Sequence, residues 1–261
     1  MTPAPTPPGL VSILIVNWRT PVQTRLCLRS LRAFTRAPHE VIVVDNESGD
    51  ASADYLASLD WIKLIVNSGE QSHRAGLELA RAEARGEWLL ALHTDTFVAR
   101  PGWLERLLAE TGPETCLVGS SDRVLMPMTT PLDRLSLWWT RRKQARRWAR
   151  EGRSPKLLSH CLMVRRAFMI EHGLRFDRPV ADADGRVLDC GEPLQRYCEE
   201  QGLAMRALGR EQLGEWMWHF EAATLNLKTG RKVPLKRRLR SWRFYRQPEI
   251  LARLADDSLD R

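Results

Sequence analysis

Nowhere in the 261 residues does an apolar run approach the roughly 20 residues that a membrane-spanning helix needs. Residues Met1 to Gly9 are rich in Pro and Thr and lack both a basic n-region and an apolar h-region. They read as a disordered lead-in (residues 1–9), not as a signal peptide. Cysteine is scarce and scattered: Cys27, Cys116, Cys161, Cys190 and Cys198 form no CxxC pair, and their number is odd. That pattern excludes a disulfide scaffold and fits reduced thiols in a cytosolic protein. The glycine fingerprints for phosphate are also missing. No GxGxxG follows the first apolar run and no GxxxxGK[ST] occurs, which argues against a dinucleotide site or a P-loop. These absences lead us to expect a cytoplasmic protein, at most peripheral to the inner membrane surface.

What is present is a basic chain with enough apolar material for a sizeable core. Net charge is +8 and 43% of residues are hydrophobic; the pI is near 9.6. A basic balance predicts acidic partners such as nucleotides, phosphates or anionic lipid. The length suits one large domain, or one domain with an appendage.

Short β-branched runs alternate with helical periodicity through the first third. Val11 to Val16 reads as a strand buried on both faces. Thr20 and Pro21 then supply a cap and first helical position, and the helix runs to about Phe34. Strands at Val41 to Val44 and Ile62 to Val66 follow, with helices at Ala51 to Leu59 and about Arg74 to Ala84, the latter closed by Gly86. The next strand, from Trp88 to Leu92, runs into His93-Thr94-Asp95. Side chains at i and i+2 of an extended segment point the same way, so an imidazole and a carboxylate can grip one cation. Alternating strands and helices imply a parallel sheet with right-handed crossovers. Four strands then deliver Asn17, Asp45 with Asn46, Asn67, and His93 with Asp95 to one rim, where open α/β sheets bind ligands. Lacking a glycine loop, such a cleft would use a cation to meet phosphate.

Further along, Pro101-Gly102-Trp103 starts a helix, and short strands are expected at Leu117 to Gly119, Val124 to Met126, Ser159 to Val164, Leu203 to Leu208 and Gly214 to Trp218. Leu135 to Lys156 interleaves Trp138, Trp139 and Trp148 with many Arg and Lys, a mixture suited to an acceptor lid or an anionic surface. Asp182 and Asp184 read as turn residues. Asp189 and Glu192 precede a helix with Pro193 at its first position and Gly202 beyond its end. Glu192 fits an ordinary cap, whereas Asp189 lies too far upstream for one. The tail from Lys228 to Arg246 is densely basic and is followed by a short helix, Pro248 to Leu254.

Val11 to Trp18, Val41 to Asp45 with Asn46, Ser48 and Asp50, Gly76 before Arg85-Gly86-Glu87, and His93-Thr94-Asp95 together resemble the family 2 glycosyltransferases of GT-A fold. The resemblance covers about residues 10 to 220. It implies an α/β, Rossmann-like, mostly parallel sheet flanked by helices (residues 10–225, with a nucleotide half to about 120 and an acceptor half beyond), then a basic extension (226–261). It also implies metal-assisted, inverting transfer from a UDP-, GDP- or TDP-sugar to a glycan, lipid-linked or small-molecule hydroxyl, in hexosyl or deoxyhexosyl transfer for cell-envelope polysaccharide or glycoconjugate synthesis. Asn17, Asp45, Asn46, Asn67, Arg74, His93 and Asp95 would line the donor site, with Asp45 on the base or ribose and Arg74, where relatives carry Asn, on a phosphate. His93-Thr94-Asp95 matches the family's DxD motif with His in place of its first Asp. His219 matches a further metal or diphosphate contact. Asp189 or Glu192 would be the general base. Imidazole ligands favour Mn²⁺ over Mg²⁺. Two other readings are a degenerate relative that binds sugar nucleotide without turnover and a module that only binds nucleic acid or an anionic surface. Against the latter, the basic residues lie away from the rim, so no nucleic-acid partner is expected.

Overall fold

The computed structural model describes residues 9–69, 71–123, 125, 131–151, 155–181, 185, 187–219, 242 and 244–261. Asp182, Asp184 and most of the Lys228 to Arg246 stretch lie outside them. In chain order the elements are β1 (Val11–Asn17), α1 (Pro21–Phe34), β2 (His39–Asp45), α2 (Ala51–Ala57), β3 (Lys63–Val66), α3 (His73–Ala82), β4 (Trp88–His93) and β5 (Thr96–Val98). Then come α4 (Trp103–Leu108), β6 (Thr115–Ser120), α5 (Pro131–Glu151), β7 (Leu158–Arg165), α6 (Arg166–Glu171), α7 (Gly191–Glu200), β8 (Ala204–Leu208), α8 (Arg210–Leu213), β9 (Met217–His219) and α9 (Pro248–Ala255).

Seven strands form one sheet in the order β3-β2-β1-β4-β7-β6-β8. β1 pairs in parallel with β2 and β4, and β2 with β3, so the first four strands end at one edge as their sequence predicts. β7 runs antiparallel to both β4 and β6. Its first residues therefore arrive at the edge where β4 ends. β5 and β9 form a separate two-stranded ribbon that pairs Thr96 with His219.

The period of two along each strand splits the core. Ile13, Ile15, Val41, Val43, Leu90 and Leu92 face Leu28, Leu31, Leu56 and Trp103 on one side. Leu14, Val16, Ile42, Val44, Leu89 and Ala91 face Leu77, Phe168 and Leu194 on the other. With both faces covered, every residue of β1 is buried, which is why that strand reads as a continuous apolar run. Gly76 lets α3 lie close on β1, since a Cβ there would stand 2.8 Å from Val16 Cγ1.

Several local expectations shift. Helix α3 ends at Ala82 with Glu83 as its cap, so Gly86 does not close it. Gly86 instead lets two backbones meet: its N–H donates to Ser12 Oγ at 2.8 Å, and a Cβ would fall 2.6 Å from Ser12 N. Helix α7 begins at Gly191, so Pro193 sits third in it, not first. Gly214 ends α8 and the strand beyond starts only at Met217. Of the strand expected at Val124 to Met126, Leu125 alone is described, as an isolated bridge to His219.

Residues 244–261 pack against the sheet domain. Phe244 and Ile250 are buried with Leu26 and Phe97. The Arg29 guanidinium, buried in α1, bonds Leu254 O, Asp257 and Asp260, the last through Nε at 2.8 Å and Nη2 at 2.5 Å. Tyr55 donates its hydroxyl to the same carboxylate at 2.8 Å. Burial alone would raise the Asp260 carboxyl, but the bonds from Arg29 and Tyr55 and the Arg29 charge hold it below its ordinary 3.8.

Removing Asp260 leaves the buried Arg29 cation only the exposed Asp257 and the Leu254 carbonyl, so Asp260→Ala should cost about 3 kcal/mol of stability in denaturant unfolding. Asp257, 87% exposed, should cost under about 1 kcal/mol when replaced by Ala. A carboxyl depressed by folding stabilises above its unfolded pKa of about 3.9 and loses that contribution as pH falls through the lower folded value. The gap between wild type and Asp260→Ala should accordingly be full at neutral pH and shrink in acid.

Candidate metal and donor site

The rim is built from strand ends that hold one another. Asn17, wholly buried at the end of β1, donates through Nδ2 to Asp45 Oδ1 (2.7 Å), Ser48 Oγ (2.9 Å) and Ser52 Oγ (2.8 Å). Its Oδ1 accepts from Thr24 Oγ1 (2.6 Å) and Thr20 Oγ1 (3.1 Å). The Thr20 hydroxyl, expected to cap α1, makes no such bond; it also meets Thr94 Oγ1 at 3.0 Å. Thr94 thus turns away from the side taken by its neighbours His93 and Asp95, as alternation requires.

Asp45 is 2% exposed, accepting from Ser48 Oγ at 2.6 Å and from Ser48 N at 3.1 Å. Asn46 Oδ1 accepts from Asn67 Nδ2 (2.9 Å) and Gln71 N (3.0 Å), and its Nδ2 donates to Gln71 O (2.5 Å). This pins the turn between β3 and α3. Asn17, Asp45, Asn46 and Asn67 are brought together at one edge, each engaged in bracing it. Arg74, at the start of α3, donates from Nη1 to Leu188 O at 2.9 Å, so it holds the main chain beside Asp189.

His93, Asp95 and His219 form the candidate metal group. One possible ligand atom from each lies within 4.8 Å of the others. His93 Nδ1 is 3.8 Å from Asp95 Oδ1, and His219 Nε2 is 3.3 Å from the same oxygen. The test of fit is His219. Its Nδ1 hydrogen-bonds the Arg123 carbonyl at 2.6 Å, while its buried Nε2 has no hydrogen-bond partner and faces a carboxylate. A carboxylate facing that nitrogen calls for a positive charge between them, a proton on the ring or a metal ion, and a carboxylate with two imidazoles suits later divalent metals. The donor set fits.

Two residues escaped sequence reading. Ser159 and His160 follow Leu158 at the start of β7, and the β4–β7 register of Leu92 with Cys161, continued one step, sets His160 opposite His93. His160 stacks flat on His219 with centroids 3.9 Å apart and planes 4° from parallel. Burial pushes its imidazole well below the ordinary value, with the neighbouring imidazoles adding to the effect. Ser159 Oγ lies 3.0 Å from His93 Nε2 and donates to Asp189 Oδ2 at 2.9 Å. Burial likewise lowers His93 from its ordinary value, opposed by the Asp95 charge. His73 packs edge-on to His93 at 4.9 Å, so four of the six histidines meet here. That concentration was the available signal.

Asp189 stands exposed at the rim. Burial of its carboxylate would raise its pKa, but the Ser159 hydroxyl, the Cys190 N–H and the nearby His93 keep it below the usual carboxylate value. Glu192 is differently employed. It pairs with Lys156 and accepts the Asp189 N–H at 3.1 Å, so it braces the turn that carries Asp189.

The comparisons with known proteins give the fold and the family. The fold is GT-A. A mannosyltransferase from Pyrobaculum calidifontis, solved with GDP-Man and Mn²⁺, superposes with a TM-score of 0.53 at 13% identity over 80% of this chain and 57% of its own. Glucosyl-3-phosphoglycerate synthase from Mycobacterium tuberculosis, solved with Mn²⁺, UDP and glucosyl-3-phosphoglycerate, gives 0.53 at 17% over 95% of this chain and 79% of its own. The chain belongs to glycosyl transferase family 2, whose model matches residues 12–174. It is also 32% identical over 111 residues to the protein named glycosyltransferase EpsH of Bacillus subtilis (strain 168), a match spanning 41% of this chain and 32% of EpsH.

Mn²⁺ titrated calorimetrically should bind the wild type, and Asp95→Ala should abolish that binding. His219→Ala should weaken it, while His93→Asp should restore a more ordinary Mg²⁺ response. Unchanged Mn²⁺ affinity in folded Asp95→Ala would exclude this group as the site.

Proposed function

We propose that the protein transfers a sugar from a nucleoside diphosphate sugar to an acceptor hydroxyl with inversion, in a metal-assisted, cytoplasmic reaction. The observation that carries this reading is the His93–Asp95–His219 group at the strand-end rim of a family 2 domain, with His219 Nε2 unpartnered and aimed at Asp95. A divalent cation bound there, Mn²⁺ in preference to Mg²⁺, would neutralise charge that develops on the departing diphosphate.

The chain's own residues do the rest. Asp45, Asn46 and Asn67 shape the floor for the nucleotide, and Asn17 holds that floor rigid from behind. Arg74 fixes the Leu188 main chain and so the approach of Asp189 to the donor. Asp189, exposed and held ionised, takes the proton of the acceptor hydroxyl as its oxygen bonds the anomeric carbon and the bond to the diphosphate oxygen breaks. One in-line displacement inverts the anomeric centre, with no covalent enzyme intermediate. Glu192 is less suited to be the base, because Lys156 and the Asp189 N–H occupy it.

Helix α5 supplies a contact with an anionic membrane, where a lipid-linked acceptor would be met. Trp138 and Trp139 are 49% and 60% exposed and pack edge to face at 5.1 Å. Exposed Arg134, Arg142, Lys143, Arg146 and Arg150 lie along the same helix, with Arg142 over the Trp138 ring. Exposed aromatic rings on a helix rich in basic side chains favour a position in the headgroup layer. Arg141 anchors the helix to the body through Asp122, at 3.0 Å, and Glu211. No described helix is long and apolar enough to cross a membrane. The tail's contribution lies largely outside the described residues.

UDP, GDP and TDP with their sugars should be screened by thermal shift, with Mn²⁺ and with Mg²⁺. The true donor at 100 times its dissociation constant should add about 2.7 kcal/mol, and more shift should appear with Mn²⁺. With that donor, Asp189→Asn should lower kcat by roughly 10²-fold or more and change donor affinity far less. An Asp189→Asn enzyme of normal kcat would remove it as the base.

Vesicles of phosphatidylglycerol in phosphatidylcholine should co-sediment the protein at low salt. Release is expected as the Debye length falls from about 10 Å at 0.1 M to about 3 Å at 1 M. Trp138→Ala with Trp139→Ala should weaken the binding at every salt concentration. Equal sedimentation with neutral vesicles would count against the contact.

A further inference from the structure

An imidazole, unlike a carboxylate, offers a metal one bare nitrogen, and only in the matching tautomer. With His93 in the first position of the motif, something must decide which nitrogen carries the proton. We propose that Ser159 is a positioning residue that locks His93 as its Nε2–H tautomer and thereby presents bare Nδ1 to Asp95.

The argument follows the protons. Ser159 has a single hydroxyl proton, and it goes to Asp189 Oδ2 at 2.9 Å. Asp189 is an ionised acceptor, so it cannot send a proton back. The Ser159 oxygen can therefore only accept at its other contact, His93 Nε2 at 3.0 Å. That fixes hydrogen on Nε2 and leaves Nδ1 bare, 3.8 Å from Asp95 Oδ1. His219 is set from the other side by the same logic, with opposite nitrogens. A carbonyl only accepts, so Arg123 O holds hydrogen on Nδ1 and frees Nε2 toward the same carboxylate oxygen. Two imidazoles on different elements are thus turned so that their bare nitrogens converge on one atom of Asp95.

Ser159 is itself well fixed. It is 3% exposed, near the start of β7, and the antiparallel course of that strand is what carries it to the end of β4. His73 closes the far side of the His93 ring at 4.9 Å and 82°, which limits ring rotation. A relay of carboxylate, hydroxyl and imidazole behind a metal-facing nitrogen is the arrangement whose loss costs metal affinity without touching a ligand.

The inference rests on His93 as a metal ligand, and its test has a readout that needs neither metal nor turnover. Long-range ¹H–¹⁵N correlation spectra of the metal-free, ¹⁵N-histidine-labelled protein report which ring nitrogen is protonated, with His93→Gln assigning the signal. His93 should appear as the Nε2–H tautomer in wild type and in Ser159→Thr, and as a mixture or the Nδ1–H form in Ser159→Ala. Ser159→Cys serves as a second variant of similar volume should Ser159→Ala fold poorly. Calorimetric Mn²⁺ affinity should fall roughly 10- to 100-fold in Ser159→Ala and stay near wild type in Ser159→Thr. An unaltered Nε2–H tautomer in folded Ser159→Ala or Ser159→Cys would overturn the proposal, as would Mn²⁺ affinity unchanged by either. A wild type that shows the Nε2–H tautomer yet binds no Mn²⁺ would overturn the metal reading while leaving the role of Ser159 in place.

Discussion

The buried side-chain amide of Asn17 is the point on which the rim depends. It sits at the end of β1, between β2 and β4, with no access to solvent, and protein groups contact both its nitrogen and its oxygen. A buried amide is tolerable only when so satisfied; left partly bonded, it would cost about 1–3 kcal/mol per missing partner. Its partners come from the β2–α2 loop, from α2 and from the start of α1, and through Thr20 the network reaches Thr94 in the loop that bears Asp95. One side chain therefore links the Asp45–Asn46–Asn67 cluster to the loop of the His93–Asp95–His219 group. The left-handed backbone at Arg19 and Glu47, with φ of 52° and 57°, lies where the two loops close over it.

The second determinant is the direction of a strand. Had β7 run parallel to its neighbours, its first residues would lie at the far edge of the sheet, and Ser159 and His160 could not reach His93 and His219. Running antiparallel, it places a hydroxyl behind one candidate ligand and a flat ring against the other. The β5–β9 ribbon then brings His219, which lies beyond the family match that ends at residue 174, to within 3.3 Å of Asp95. Sheet topology, more than local sequence, assembles the chemistry.

This explains what could be read from the chain. The first four strands and their polar ends were legible because burial on both faces leaves continuous apolar runs, and because parallel strands must end together. The common side of His93 and Asp95 followed from alternation alone, and the turn of Thr94 toward Thr20 agrees with it. Helix ends were less legible. Gly86 resembles a helix stop but serves a backbone contact with Ser12, and Pro193 resembles a first position although Gly191, pressed against Leu157 O, starts the helix. Ser159 and His160 gave no local sign, since a Ser-His pair at a strand start is unremarkable until the strand's direction is known. The double engagement of Glu192, with Lys156 and with the Asp189 N–H, also depends on contacts that no spacing reveals.

The last stretch of the chain ties stability to the site. Arg29 is the one charged residue buried on α1, and a guanidinium there is sustained by the carboxylates arriving from beyond α9. Docked by that contact, Phe244 and Tyr245 close a small cleft with Gln23, Cys27 and the residues Thr94 to Phe97. Burial, with the Asp95 charge adding to it, raises Tyr245 to about 12. Cys27 offers its thiol to His93 O at 3.8 Å from beneath. Asp95 is thus held between a rim braced by Asn17 and an underside closed by the C-terminal segment. A motif loop of two turn residues between β4 and β5 has little rigidity of its own; the geometry that its carboxylate presents is set by these two supports, which come from opposite ends of the described chain.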